Sequence, residues 1–171
     1  MKIWFDKEIE GCVQDLVRVV PWEWQEGEIR MELPEDFQEM PQERKEEYYP
    51  YENRPETILE NTGGTVQLTL QFSDQEMKEE ETRSAAEKVH ELTEDAFPKY
   101  DMSPAYLYEG GKVPVGWFTV KMEDRESEHI KAVFSGGGKM VLLTMTYPEN
   151  ETMKWRPISR CIFASIREKE E

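Results

Sequence analysis

The chain has 171 residues, of which 37 are acidic and 21 basic, for a formal net charge of -16. Such a surface repels phosphate, which argues against nucleic-acid binding and against anionic membranes. It leaves two readings, plain solubility or a basic protein partner. The length suits one domain over residues 1–171, long enough to bury a core without staples. The apolar 37% gathers into periodic runs separated by Glu-rich loops, as a folded chain requires.

Charges run through the first ten residues, M-K-I-W-F-D-K-E-I-E, and no 18-residue apolar span follows anywhere. No secretory or membrane-spanning segment is therefore expected, and the expected location is the cytoplasm. Cys12 and Cys161 lie far apart without a C-x-x-C, so reduced thiols are expected.

In chain order, strands are expected at 3–5 and about 12–20. Pro21 to Gly27 reads as a turn carrying Trp22 and Trp24. Ile29, Met31 and Leu33 alternate with Glu28, Arg30 and Glu32, which predicts a strand half in core and half in water. Pro34 stops it. Residues 34–55 form a loop-rich acidic segment with prolines at 34, 41, 50 and 55. Within it 41–47 suits a short helix, and Tyr48, Tyr49 and Tyr51 an extended crossing. A short strand at 56–60 and a turn at 61–64 come next. Val66, Leu68, Leu70 and Phe72 then share one face of a strand. Ser73 and Asp74 are expected to cap a helix from about Gln75 to Phe97, with Ala85, Val89, Leu92 and Ala96 as its apolar stripe.

Val113 to Arg167 organises the rest. It holds three apolar strands (113–122, 129–135 and 139–147) and one helix from about Lys154 to Arg167. Met140 to Tyr147 is apolar on both faces, which suits a central strand. The helix carries Trp155, Ile158, Ile162 and Ile166 as a stripe, with Arg156, Arg160 and Arg167 outside. Hairpin-linked strands and two well-separated helices predict an α+β chain, a twisted and mainly antiparallel sheet covered by helices in an α/β/α sandwich.

The sequence carries few groups arranged for chemistry. His90, His129, Cys12 and Cys161 show no ligand spacing, so no metal and no cofactor is expected. His90 reads as a boundary residue of its helix, and His129 as the residue that opens a strand beside the turn before it. There is no G-x-S-x-G, and Gly136-Gly137-Gly138-Lys139 lacks phosphate-loop spacing and reads as a hairpin turn. Thirty-seven acids guarantee some carboxylate pair in any fold, so such a pair carries no information. No catalytic residue is assigned. Trp22, Trp24, Tyr48, Tyr49 and Tyr51 form the candidate binding set, against the alternative that their rings pack the long loop onto the sheet. Residues 23–60 hold 13 acids against 4 bases, whereas 113–171 hold 9 of each, so the acidity is concentrated around that aromatic set.

Three segments together carry a resemblance: the run I-R-M-E-L-P-E-D-F from Ile29 to Phe37, the glycine-containing meander, and the closing Trp155-x-x-Ile158-x-x-x-Ile162-x-x-Ser165-Ile166 helix. Their order and patterning, over residues 28–167, resemble the PsbP-like fold shared with the Ran-binding protein Mog and with bacterial DcrB-type proteins. The resemblance implies non-catalytic work, as an accessory subunit, a regulator of a partner protein or a chaperone for secreted effectors, and carries over no site residue. The expected function is a non-enzymatic protein-binding module, a chaperone or adaptor for another polypeptide. A small carboxylate-based hydrolase is one alternative and predicts two acids converging in a deep pocket. An acidic nucleic-acid mimic is the other and predicts carboxylates in rows on one face.

Overall fold

The structure, a computed structural model, describes residues 2–4, 17–121 and 126–169. The strands in chain order are β1 (Lys2–Trp4), β2 (Val17–Trp24), β3 (Ile29–Pro34), β4 (Gln38–Glu39), β5 (Thr57–Glu60), β6 (Gln67–Glu76), β7 (Asp101–Met102), β8 (Tyr106–Tyr108), β9 (Val115–Lys121), β10 (Ser127–Gly136) and β11 (Lys139–Pro148). The helices are α1 (Gln42–Tyr48), α2 (Thr82–Ala96) and α3 (Thr152–Ser165). β1-β2-β3 make a three-stranded sheet. The second sheet runs β4-β5-β6-β11-β10-β9-β7, with β8 also paired to β9. Every pairing among the described residues is antiparallel.

β11 lies between β6 and β10, as a strand apolar on both faces should. Its hairpin with β10 closes through two residues, Gly137 and Gly138, at φ 61° and 78°. Two successive positive φ values match the twist of the flanking strands and are cheap only for glycine. The register this sets, Gly136 opposite Lys139 and Ile130 opposite Met145, fixes which residues share a face.

On one face Leu68 and Leu70, Ile130, Ala132 and Phe134, and Val141, Leu143 and Met145 form the core with Ile158 and Ile162 of α3 and Ile29, Met31 and Leu33 of β3. Each fully buried Leu, Ile, Val, Met or Phe among them contributes about 1.5–3 kcal/mol by leaving water. The stripe expected for the last helix is buried as read. The opposite face is covered at β9 by α2. Gly116 permits this approach, because a Cβ there would stand 2.4 Å from the Ala86 Cβ. His90 completes the contact, edge-on to Phe118 with centroids 4.9 Å apart. The sheet thus has a helix on each face, the expected α/β/α arrangement.

Several expectations are corrected. β2 continues through Pro21 to Trp24, so both tryptophans sit on a strand, and only Gln25–Gly27 turns. Glu32, opposite Pro21, donates its N–H away from β2 to Ser165 Oγ at 2.9 Å, so this pair exchanges no ladder bonds and proline forfeits nothing. Glu32 is itself buried, because the chain after α3 pairs Arg167 with Arg30 and closes that side of β3. β6 extends to Glu76, opposite Lys139, and α2 begins only at Thr82, where the Glu81 carboxylate accepts the Lys78 N–H at 2.9 Å. The buried face of α2 is Thr82 and Ala86, with Val89, His90 and Thr93 half-buried, while Leu92 points to solvent. His129 lies within β10, whose strand begins two residues before the expected start, and is bonded through Nδ1 to Thr146 Oγ1 at 2.8 Å.

Arg156, expected outside, turns to Glu128. That carboxylate is fully buried and accepts from the Tyr147 hydroxyl, both arms of Arg156 and, at 3.5 Å, Thr152 Oγ1. The Glu128 bond holds Arg156 above the usual guanidinium range, and burial, then the bond to Glu128, pushes the Tyr147 phenol far up. The network ties the start of β10, the end of β11 and the first turns of α3 together. Cys161 is buried on α3. Cys12, the remainder of the expected strand at 12–16, and Met122 lie outside the described residues.

Candidate functional site

The five aromatic candidates fall into two groups. Trp22 and Trp24 alternate on β2 opposite Met31 and Ile29, so they face the core side, where they are half-buried and stacked at 5.8 Å with 15° between planes. Tyr48 ends α1, and Tyr49 and Tyr51 follow it. Tyr48 and Tyr51 are about half exposed, at 53% and 48%, while Tyr49 sits edge-on to Tyr51 at 6.2 Å. Burial, helped by Tyr51 and Glu60, raises the Tyr49 phenol to about 12. Arg44 anchors this segment: its Nε lies 3.0 Å from both oxygens of the buried Glu60, and its guanidinium covers the Tyr48 ring at 4.8 Å. Among the described residues no ring contact joins the tryptophans to the tyrosines.

Of the five, Trp24 lines a recess. Where the two sheets part at their hairpin ends, a cleft of about 630 Å³ opens between the β2–β3 turn, the β10–β11 turn and the β5–β6 edge. Trp24 and Phe72 supply its rings, and Glu28, Glu56 and Asp74 supply three carboxylates against the single cation Lys139. Lys139 Nζ stands 3.8 Å from Asp74, and Glu56 accepts the Phe72 N–H at 3.0 Å. At the rim Gln25 and Glu26 hold φ values of 54° and 57° without being glycine, a conformation that costs about 1–3 kcal/mol each and gathers at functional positions.

A second recess of about 670 Å³ shares Gly137 and Lys139 and is lined by Glu76, Glu79, Glu81 and Glu168. Burial raises the Glu168 carboxyl, with the Glu79 and Glu28 carboxylates adding to it and the Gly137 N–H opposing. The glycine turn is thus a bridge between two acidic hollows. This neighbourhood favours a cation. Its lining offers no histidine or cysteine, and Ser73 Oγ is occupied by the Gln75 N–H at 2.9 Å. Among the described residues no three potential ligands converge on a metal position, and no helix is long and apolar enough to cross a membrane.

The cleft could be anticipated only in part. Trp24 and the glycine run were legible, but Glu28, Glu56 and Asp74 are ordinary surface acids in sequence, brought together by the strand order.

An antiparallel sheet carrying a helix on each face, with a smaller sheet folded over one end, defines the class. No family model matches the sequence, and no curated protein does. Among solved structures the chain resembles the cyanobacterial PsbP, CyanoP, of Synechocystis sp. PCC 6803, with a TM-score of 0.62 at 11% identity over 91% of this chain and 95% of that one. It also resembles the Ran-binding protein Mog1p of Saccharomyces cerevisiae, with a TM-score of 0.52 at 11% identity over 89% and 96%. A protein of Bacteroides thetaiotaomicron matches at 0.52 and 12% identity over 88% of this chain and 48% of that one. The chain has the PsbP- and Mog1-like fold.

Proposed function

We propose that the chain is a non-catalytic protein-binding module whose cleft at the glycine turn takes a basic segment of another polypeptide. The observation that carries this is the composition of the cleft: two aromatic rings, three carboxylates and one lysine in a recess between sheets. Rings of this kind anchor a partner by burial, and carboxylates around them steer a positive one. The likeness to a Ran-binding protein is in keeping with a polypeptide partner. The finer reading is a chaperone or adaptor acting in the cytoplasm, its cleft shielding a basic and apolar stretch of its client until release. Tyr48 and Tyr51, exposed on a separate face, are proposed as a secondary contact.

The test is a set of short peptides varying in lysine and arginine content, followed by isothermal titration at low and moderate salt. Basic peptides with one aromatic or aliphatic residue should bind, and affinity should fall with salt. Trp24→Ala should cost about 2 kcal/mol as a central anchor, and Glu28→Lys with Asp74→Lys should remove binding without changing the thermal midpoint appreciably. Peptide binding indifferent to the two charge reversals would overturn the assignment.

A further inference from the structure

We propose that the uncovered middle of the face of the large sheet opposite α3 is a carboxylate-binding site, formed by Lys131 of β10, Thr144 of β11 and Thr69 of β6. The register places them side by side: Lys131 is directly opposite Thr144, and Thr144 is directly opposite Thr69. Opposed residues in antiparallel strands project to the same side with Cβ atoms about 4.5–5.5 Å apart. One amine and two hydroxyls therefore stand in a row across three strands.

The ends of that row are closed, and its middle keeps partial exposure at Lys131 and Thr144. Beyond Lys131 the register continues to Phe118, which lies against His90 of α2. Beyond Thr69 it continues to the fully buried Ile58. Lys131 and Thr144 are half-buried, and Thr69 retains 7% exposure. The trough is thus walled at both ends by apolar side chains.

Among the described residues none of the three polar groups has a partner. Among the described residues Lys131 has no carboxylate within 4.0 Å, and neither hydroxyl has a hydrogen-bond partner. Glu60, the carboxylate sharing this face, is engaged by Arg44. Burial alone displaces the Lys131 amine, downward from 10.5, with no neighbouring charge to oppose it. A partly desolvated cation without a counter-charge is unfavourable, and a chain with 37 acids had many ways to supply one. An incoming anion would. One positive charge and two hydroxyl donors suit a single negative charge spread over two oxygens, while a net charge of -16 opposes multiply charged phosphate. The carboxylate could belong to a free small acid or to a glutamate or aspartate of a polypeptide.

Reductive ¹³C-methylation of the full chain gives one dimethyl resonance per lysine, and Lys131→Arg identifies the relevant one. Titration with acetate against chloride at constant ionic strength should shift the Lys131 resonance saturably and leave the other lysines unmoved. Thr144→Val and Thr69→Val should each weaken acetate about tenfold, the loss expected for one hydrogen bond to a charged group, whereas Thr144→Ser should keep binding. A capped glutamate tripeptide binding more tightly than acetate would make the source a polypeptide, and acetate binding more tightly a small acid. Equal shifts with chloride and acetate, tighter binding of inorganic phosphate than of acetate, or indifference to both valine variants at unchanged thermal stability would overturn the proposal.

Discussion

Glu128 and Lys131 lie three residues apart on β10, on opposite faces of the same sheet. Glu128 is sealed, with no exposed surface and donors from Tyr147, Thr152 and Arg156 around its carboxylate. Lys131 is half-buried and has no ion-pair partner among the described residues. Both groups lose water, but among the described residues only Glu128 is compensated. The face toward α3 is therefore complete as it stands, and its charges serve the fold. The opposite face is unfinished in its middle, between β9, which α2 covers, and β5, which the Arg44–Glu60 pair ties down. A surface left incomplete by the fold is where a ligand would add most.

The comparison breaks most readily at Glu128. Arg156→Met would leave a buried carboxylate with Tyr147 and Thr152 alone, a loss of about 3 kcal/mol, at the low end for a broken buried pair because Arg156 is partly exposed. In a domain of this size that lowers the thermal midpoint by roughly 6–12 °C. Adding Glu128→Gln should return part of the loss, since a neutral amide still accepts from Tyr147 and no buried charge remains. Denaturant titration of the two variants decides it. A cost near zero for Arg156→Met would mean that the sealed face is no better satisfied than the open one.

The covered part of the outer face is sharpened by Gly116→Ala. The new methyl would lie 2.4 Å from the Ala86 Cβ, so α2 must lift or the strand must yield, at about 1–3 kcal/mol. Ala86→Gly in the same chain should recover some of that stability, less the roughly 1 kcal/mol that glycine costs inside a helix. Failure of the second change to rescue the first, measured by thermal unfolding, would show that α2 does not rest on this glycine.

The strands of the meander were legible because their period is two and their turn is marked by glycines, and the face of each residue followed from that alone. The last helix was legible because Trp155, Ile158, Ile162 and Ile166 keep a helical period. What failed did so through tertiary contact. Asp74 to Glu76 read as a helix start, yet β11 offers a ladder partner at Lys139 and holds them in β6. Arg156 read as solvent-facing because its partner Glu128 is 28 residues away. The α2 stripe was assigned to Leu92 because apolar periodicity cannot see that a threonine, an alanine and a histidine fit beneath a helix lying on glycine. The cleft suffered most: the left-handed Gln25 and Glu26 at its rim have no sequence mark, and its acids come from three separate hairpins or edges.

The smallest expected effect tests the unfinished face directly. Folding holds the Lys131 amine below its unfolded value, so below pH 10.5 the unfolded chain binds more protons at this position than the folded one. That difference makes stability rise with pH as the folded amine gives up its proton, and the contribution ends once the unfolded amine has titrated as well. Lys131→Met should therefore stabilise the chain at neutral pH, by less than about 1 kcal/mol, and the gain should shrink as pH climbs toward 10.5. His129 lies on the same face, held through Nδ1 by Thr146 Oγ1. Acetate should erase the same gain at neutral pH, because a ligand bound to the folded parent stabilises it and has nothing to bind in the methionine variant. A gain unaffected by acetate would mean that the methionine merely packs better than lysine there, and the two faces of β10 would then differ in solvation and not in purpose.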